Sequence, residues 1–288
     1  MTSSFRKLRN ELVRGLIFAL RDRRMVSLLL KKDFYWALAK LSASFRKAAQ
    51  RCTDAYVRRL NADMVTSING RPFRHRVRDL ETIWELTREC DYALRKDYEP
   101  RQGECVIDAG AAVGEYTVLA SSAVGPSGKV IAIEASAEPF EYLAKNAKTF
   151  KNVIAFRAAL SGNEGKLKLF RPAGTAFVDS VHKSWDGPTV GYTVNAVTVD
   201  GLVKKLKLQN VDVLKLDIEG AERMALAGAK RTLAVMKPRI MMETHGADVH
   251  RQCVALLRKS GYRIDIERIK TREPFIALVY ASAKTRTD

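Results

Sequence analysis

Four cysteines in 288 residues, none in a Cys-x-x-Cys pair, leave little thiol chemistry to read. Cys52, Cys90, Cys105 and Cys253 stand apart from one another and from any histidine cluster, so zinc-ligand spacing is excluded. Four separate reduced thiols in a cytosolic protein are the simple expectation. No Asn-x-Ser/Thr sequon occurs, which agrees with that compartment. Long apolar runs are missing too. Leu16–Leu20 and Met25–Leu30 are short and flanked by basic residues. A spanning helix needs roughly 20 apolar residues, and a signal peptide needs an uninterrupted apolar centre, so neither is expected. Acidic residues are scarce in the first part of the chain. There is no internal repeat.

What is present begins with charge. The formal net charge is +18, and residues 1–60 hold fifteen Lys/Arg against four Asp/Glu, a local +11. Such asymmetry points to an anionic partner, a membrane surface or nucleic acid, unless the basic face is merely solvated. Leu8, Leu12, Leu16 and Leu20, then Phe34, Leu38, Leu41 and Phe45, recur at helical spacing with Arg and Lys between them. Basic amphipathic helices lying on an anionic membrane surface fit that pattern. The location expected is cytoplasmic, peripheral on the inner face of the membrane if that contact is made. The alternative is that the apolar stripe packs on the rest of the chain or on a second subunit. Ile68–Pro72 reads as a turn and Thr82–Tyr92 as a further helix.

After Tyr98–Pro100 the character changes. Apolar strands and helices alternate, which argues for an α/β domain with a mostly parallel sheet. Strands are expected at Cys105–Ala109, Val130–Glu134, Val153–Arg157, Val211–Asp217 and Pro238–Glu243. Helices are expected from Tyr116, at Ala137–Phe150, at Ala221–Leu233 and at Val249–Ser260. Leu167/Leu169 and Val194/Val197/Val199 suggest short antiparallel strands, and Tyr262–Ile269 with Phe275–Ala281 a closing pair.

The first strand runs into Asp108–Ala109–Gly110–Ala111–Ala112–Val113–Gly114. Small residues let the backbone approach a ligand closely. The dinucleotide fingerprint G-x-G-x-x-G is incomplete here, and a pyrophosphate needs that turn. S-adenosylmethionine has no phosphate; it needs a carboxylate such as Asp108 near its ammonium group. Glu134 ends the second strand, where a carboxylate accepts hydrogen bonds from both ribose hydroxyls. That position alone does not separate S-adenosylmethionine from NAD. Asp217 ends the fourth strand in Leu214–Glu222. With strand order 3-2-1-4-5, Asp108, Asp217 and Glu243 are expected to line one crevice. Period two puts Glu243 and His245 on the same side, and His245 is read against its bland role as a structural histidine.

Together Val106–Tyr116, Val130–Glu134, Leu143–Asn146, Val197–Leu202, Val211–Glu222 and the Lys237–Pro238/Met242–His245 segment resemble the FkbM family of methyltransferases over about residues 103–281. The resemblance implies a class I methyltransferase fold, Rossmann-like with a mostly parallel seven-stranded sheet, over residues 101–288. Residues 1–100 stay outside it as a helical basic region. It implies methyl transfer from S-adenosylmethionine, usually to a hydroxyl oxygen of a sugar on a glycan, glycolipid or natural product. Asp108, Gly110 and Gly114 would hold the methionine part, Glu134 the ribose, and Asp217 would sit beside the reacting methyl. Ala111–Ala112 depart from the family, which commonly has Asn near the second position. Positioning supplies much of the rate of such a reaction. A general base helps a hydroxyl nucleophile, and Asp217 and His245 are the candidates. An Asp217/Glu219/Glu243 cluster is a conceivable Mg²⁺ site, but the spacing shows no cage and no metal is expected. An RNA methyltransferase and a membrane-surface ligand-binding protein without turnover are the competing readings. No aromatic-rich RNA-binding motif occurs in residues 1–100, so nucleic acid is the less favoured partner.

Overall fold

In a computed structural model the described residues are 63–68, 71–76, 79, 92, 94–172, 180, 189–272 and 275–283. The expected helices of residues 5–60, and that of Thr82–Tyr92 apart from Tyr92 itself, lie outside them. Two compact units divide the chain, one covering Thr2–Cys90 and the other beginning at Asp91 and running to the C-terminus.

In the first unit, β1 (Asp63–Ile68) and β2 (Arg71–Arg76) form an antiparallel hairpin around the expected turn. Its strands were not legible, because Arg71–Arg76 carries four basic residues in six and no apolar alternation.

The second unit holds a seven-stranded sheet built from β3 (Cys105–Ala109), β4 (Lys129–Glu134), β5 (Val153–Arg157), β9 (Val213–Leu216), β10 (Arg239–His245), β11 (Tyr262–Arg272) and β12 (Phe275–Ala283). The order is β11-β12-β10-β9-β3-β4-β5. The five strands from β5 to β10 are parallel, and β12 runs antiparallel to β10 and β11. Both faces of the parallel strands are covered, which is why β3 and β9 are buried at every position. The chain moves outward from β3 through β4 and β5 and returns to β9 on the other side. A crevice therefore opens beyond the carboxyl ends of β3 and β9. This is the class I methyltransferase topology.

Helices α1 (Glu115–Val124), α2 (Ala137–Ala147), α4 (Glu222–Ala227) and α5 (Ala247–Lys259) cover the sheet. A smaller sheet pairs β7 (Gly165–Pro172) antiparallel to β8 (Thr189–Val197), with β6 (Ala159–Leu160) parallel on the other edge of β8. Val199, grouped with strand residues from its apolar type, instead opens α3 (Val199–Lys205), where the Thr198 hydroxyl accepts from Gly201 N at 2.9 Å. The helix expected through Leu233 stops at Ala227. Gly228 sits where a Cβ would lie 2.2 Å from the Ser161 carbonyl, and a π-helical turn follows at Thr232–Met236.

Candidate active site

The turn between β3 and α1 is shaped by close approach. At Gly110 (φ +71°) a Cβ would lie 1.6 Å from the Asp217 carbonyl oxygen, so only glycine lets the ends of β3 and β9 meet. Gly114 (φ +99°) precedes α1 and packs on Leu143, and Asn146 Nδ2 donates to the Val113 carbonyl at 2.8 Å. Ala112 carries a left-handed φ of +47°. Alanine is strained there, in a region that Asn tolerates far better. The Ala112 N–H donates to Glu134 Oε2 at 3.0 Å, and Ser136 N–H donates to Oε1 at 2.7 Å. Two backbone donors thus hold the Glu134 carboxylate at the strand end, beside the small-residue turn.

Asp108 does not reach the crevice. It is fully buried, and its partner across the β3–β9 register is Lys215. Paired positions on neighbouring strands share a face, so the two charges meet under the turn rather than at its mouth. Lys215 Nζ lies 3.2 Å from Asp108 Oδ1 and donates to the Gly110 carbonyl at 2.9 Å. The Thr117 hydroxyl donates to Asp108 Oδ2 at 2.5 Å. Lys215 Nζ also faces the rings of Tyr92 and Tyr116, at 5.2 and 5.9 Å from their centroids. Burial lowers the proton affinity of Lys215, but Asp108, Asp217 and Glu115 outweigh it and keep the amine charged. Asp108 therefore shapes the turn through Lys215. Asp108, expected near the ammonium group, is thus spent on the turn, while Asp217, expected beside the reacting methyl, lies part-exposed at the mouth.

There, Asp217, Glu243 and His245 come together as expected, and Glu219 and Glu222 join them. His245 Nε2 lies 3.9 Å from Asp217 Oδ1, 3.6 Å from Glu243 Oε1 and 3.5 Å from Glu219 Oε2. His245 Nδ1 is 3.0 Å from Oε1 of Glu222, which is wholly buried. Gly220 N–H donates to that same oxygen at 3.0 Å. Tyr92 OH donates to Asp217 Oδ2 at 2.9 Å, and Lys270 Nζ donates to Glu243 Oε2 at 3.0 Å. Burial works against a charged imidazole, but Glu222, Glu243 and Glu219 overcome it and push His245 up to about 12. Burial pushes the Asp217 carboxyl up, but Lys215, His245 and the Tyr92 hydrogen bond outweigh it and hold it low. Burial drives Glu219 up to about 7, with His245 opposing.

A nucleotide-type turn, a strand-end carboxylate and a polar crevice between β3 and β9 coincide with a match to the FkbM methyltransferase domain over residues 108–264, more than half of the chain. The chain belongs to the FkbM methyltransferase family. Its activity is methyl transfer dependent on S-adenosylmethionine. The chain is 24% identical over 222 residues to the hexuronic acid methyltransferase AglP of Haloferax volcanii, covering 75% of this chain and 89% of that protein. Among solved structures it is similar to the FkbM methyltransferase of Methylobacillus flagellatus, with 16% identity and a TM-score of 0.44, over 71% of this chain and 54% of that one. Fibrillarin of Aeropyrum pernix, solved with bound S-adenosylmethionine, gives 14% identity and a TM-score of 0.46 over 77% and 84%.

The residues present fit the cofactor of this family. Glu134, at the strand end beside the Gly110–Gly114 turn, would accept from a ribose diol, that small-residue turn would take the methionine tail, and the turn is not a glycine-rich pyrophosphate cradle. Bound there, S-adenosylmethionine supplies a methyl group on a positively charged sulfur. Four residues were missed from sequence: Tyr92, Lys215, Glu222 and Lys270. Lys215 had a signal, a lone charge inside an apolar strand buried on both faces. Glu222 lay in the recognised motif without a role. Tyr92 and Lys270 are 125 and 27 residues from their partners and had none.

Proposed function

We propose that this FkbM methyltransferase methylates a hydroxyl oxygen of a hydroxyl-rich acceptor, a sugar of a glycan, glycolipid or natural product. The observation that carries this reading is the acidic crevice. Asp217, Glu219, Glu222 and Glu243 converge on one imidazole beside the cofactor turn. Carboxylates accept hydrogen bonds from sugar hydroxyls, and at close range they repel phosphates. A polyanionic RNA strand is thereby disfavoured at the reacting point, whatever the basic residues 1–60 bind. The name of the Haloferax volcanii relative supports a sugar acceptor.

In this reading Asp217 orients the acceptor hydroxyl for in-line attack on the sulfonium methyl. Its carboxylate is held by Tyr92 at one oxygen and exposed in part at the mouth. His245 is the companion group. Ringed by carboxylates it carries a proton in the unliganded site, so its first task is charge balance, and it accepts a proton only when another positive group enters the cluster. Positioning of two bound reactants provides most of the acceleration.

The test is transfer of label from methyl-labelled S-adenosylmethionine into glycan and glycolipid extracts, with bulk RNA alongside. Label should appear in carbohydrate as an alkali-stable ether. Asp217→Asn should lower turnover more than about tenfold with the fold intact, as the loss of a group acting in the transition state does. Label in RNA, or label released by mild alkali as from a methyl ester, would overturn the reading.

A further inference from the structure

Three side chains at the ends of β9 and β10 are each held by one polar atom and turn the other toward a common point. Asp217 Oδ2 accepts from Tyr92 while Oδ1 faces inward. Glu243 Oε2 accepts from Lys270 while Oε1 faces inward. His245 Nδ1 is held by Glu222 while Nε2 faces inward. One ligand atom from each of the three lies within 4.8 Å of the others. Glu219 Oε2, 3.5 Å from His245 Nε2, adds a fourth. Around a cation with metal–oxygen distances of about 2.1 Å, neighbouring ligands sit roughly 3 Å apart and opposite ones roughly 4 Å. The observed separations from His245 Nε2, 3.5–3.9 Å, fall within that range.

Two further observations set this cluster apart from a group of surface acids. First, Glu222 is fully buried, and its Oε2 has no hydrogen-bond partner among the described residues. A buried carboxylate on the far nitrogen of a histidine is the arrangement that fixes the tautomer with Nε2 free to ligate a metal. Second, the charges do not balance. Among the described residues, four carboxylates face two cations in direct contact, His245 and Lys270, while Lys215 is paired with Asp108 and reaches Asp217 only through space. Surplus negative charge in a sheltered crevice is costly without a cation.

We infer that Asp217, Glu243 and His245, with Glu219 at the rim, form a divalent-cation site adjoining the cofactor turn. The donor set is mostly carboxylate oxygen with one imidazole. It lacks the thiolates of a structural zinc site and is less purely oxygen than Mg²⁺ or Ca²⁺ prefers, so Mn²⁺ suits it. The spacing in sequence showed no cage because the imidazole arrives from the neighbouring strand. The cation's use rests on the methyl-transfer reading above: it would take the acceptor's hydroxyl oxygen and lower its pKa. Its binding does not depend on that reading.

The test therefore reads binding directly. The full-length protein, stripped with EDTA and desalted, is titrated with MnCl₂ by calorimetry and by the loss of the free Mn²⁺ paramagnetic resonance signal. One Mn²⁺ per chain is expected, with electron-spin-echo modulation from a coordinated ¹⁴N. His245→Ala should abolish that modulation, and Glu243→Gln should weaken binding at least about tenfold. Should His245→Ala not fold by circular dichroism, Glu243→Gln and Asp217→Asn carry the test. No uptake by the folded protein would overturn the inference, as would uptake that both carboxamide variants leave unchanged. Mn²⁺ binding with ¹⁴N modulation but no label in carbohydrate upholds the site and sinks the acceptor reading. Sugar methylation that persists in EDTA, with no Mn²⁺ bound, does the reverse.

Discussion

Replacing Lys215 by Met tests whether the cofactor turn rests on a buried charge pair. Lys215 and Asp108 have side-chain exposures of 4% and 0% and lie 3.2 Å apart. Met fills the volume of the lysine stem and keeps a favourable contact with the Tyr92 and Tyr116 rings. What it removes is the ammonium. Among the described residues Asp108 then keeps the Thr117 hydroxyl as its one hydrogen-bond donor, at Oδ2, and the Gly110 carbonyl loses the amine at 2.9 Å. Breaking one partner of a buried pair costs about 3–5 kcal/mol, because the remaining charge is stranded. The sulfur–ring contact returns at most about 1 kcal/mol, so a net loss of about 3 kcal/mol is expected. For a unit of this size that corresponds to a fall in Tm of roughly 10 °C. The double variant Lys215→Met/Asp108→Asn removes the stranded charge and should recover most of the loss, a coupling of about 2 kcal/mol. Urea unfolding of the four proteins of the cycle at neutral pH measures it. A single-variant cost under about 1 kcal/mol, or a cycle with no coupling, would refute the argument.

Glu134→Ala should weaken S-adenosylhomocysteine binding by about 1–3 kcal/mol in calorimetry, the cost of unmet polar partners; NAD should show no comparable binding, and tight NAD binding would sink the ribose assignment. Ala112→Gly relieves a left-handed residue at φ +47° and should raise the calorimetric Tm by about 1–3 °C, less than the full strain because glycine gains entropy in the unfolded chain. Gly110→Ala should do the opposite and lower stability by at least about 2 kcal/mol, since its Cβ would meet the Asp217 carbonyl at 1.6 Å; an unchanged Tm would mean the two strand ends separate freely.

The parallel strands were legible because each is an apolar run bounded by turn residues, and the alternation with helices made the sheet parallel, while the order 3-2-1-4-5 was an assumption that the sheet bears out. The candidate residues Glu134, Asp217, Glu243 and His245 were legible for a related reason. In such a sheet functional side chains sit at carboxyl ends, so finding the strands finds the positions. What did not show was anything decided by register. Asp108 was assigned to the crevice because it ends an apolar strand, as Asp217 does. Yet β3 and β9 align so that Asp108 faces Lys215, and Asp217 lies two residues further on, just past the end of β9. A shift of one residue would have exposed the first carboxylate, and nothing in the spacing separates the two alignments. The hairpin of Asp63–Arg76 was hidden for a different reason, since its second strand is mostly basic.

The same reasoning explains why Lys215 was the informative residue. A lysine inside a strand buried on both faces cannot be a solvated charge, so it must have a partner at a neighbouring strand end. The sequence holds few acidic candidates at such ends. Asp108 is the one whose apolar strand is also continuous with a small-residue turn. The lysine thus predicts the pairing of β9 with β3, and it predicts which of the two aspartates is spent on structure. Asp217, outside that pair, is the carboxylate that the proposed function gives to the acceptor, with Tyr92 fixing one of its oxygens and Glu222 fixing the neighbouring His245 ring.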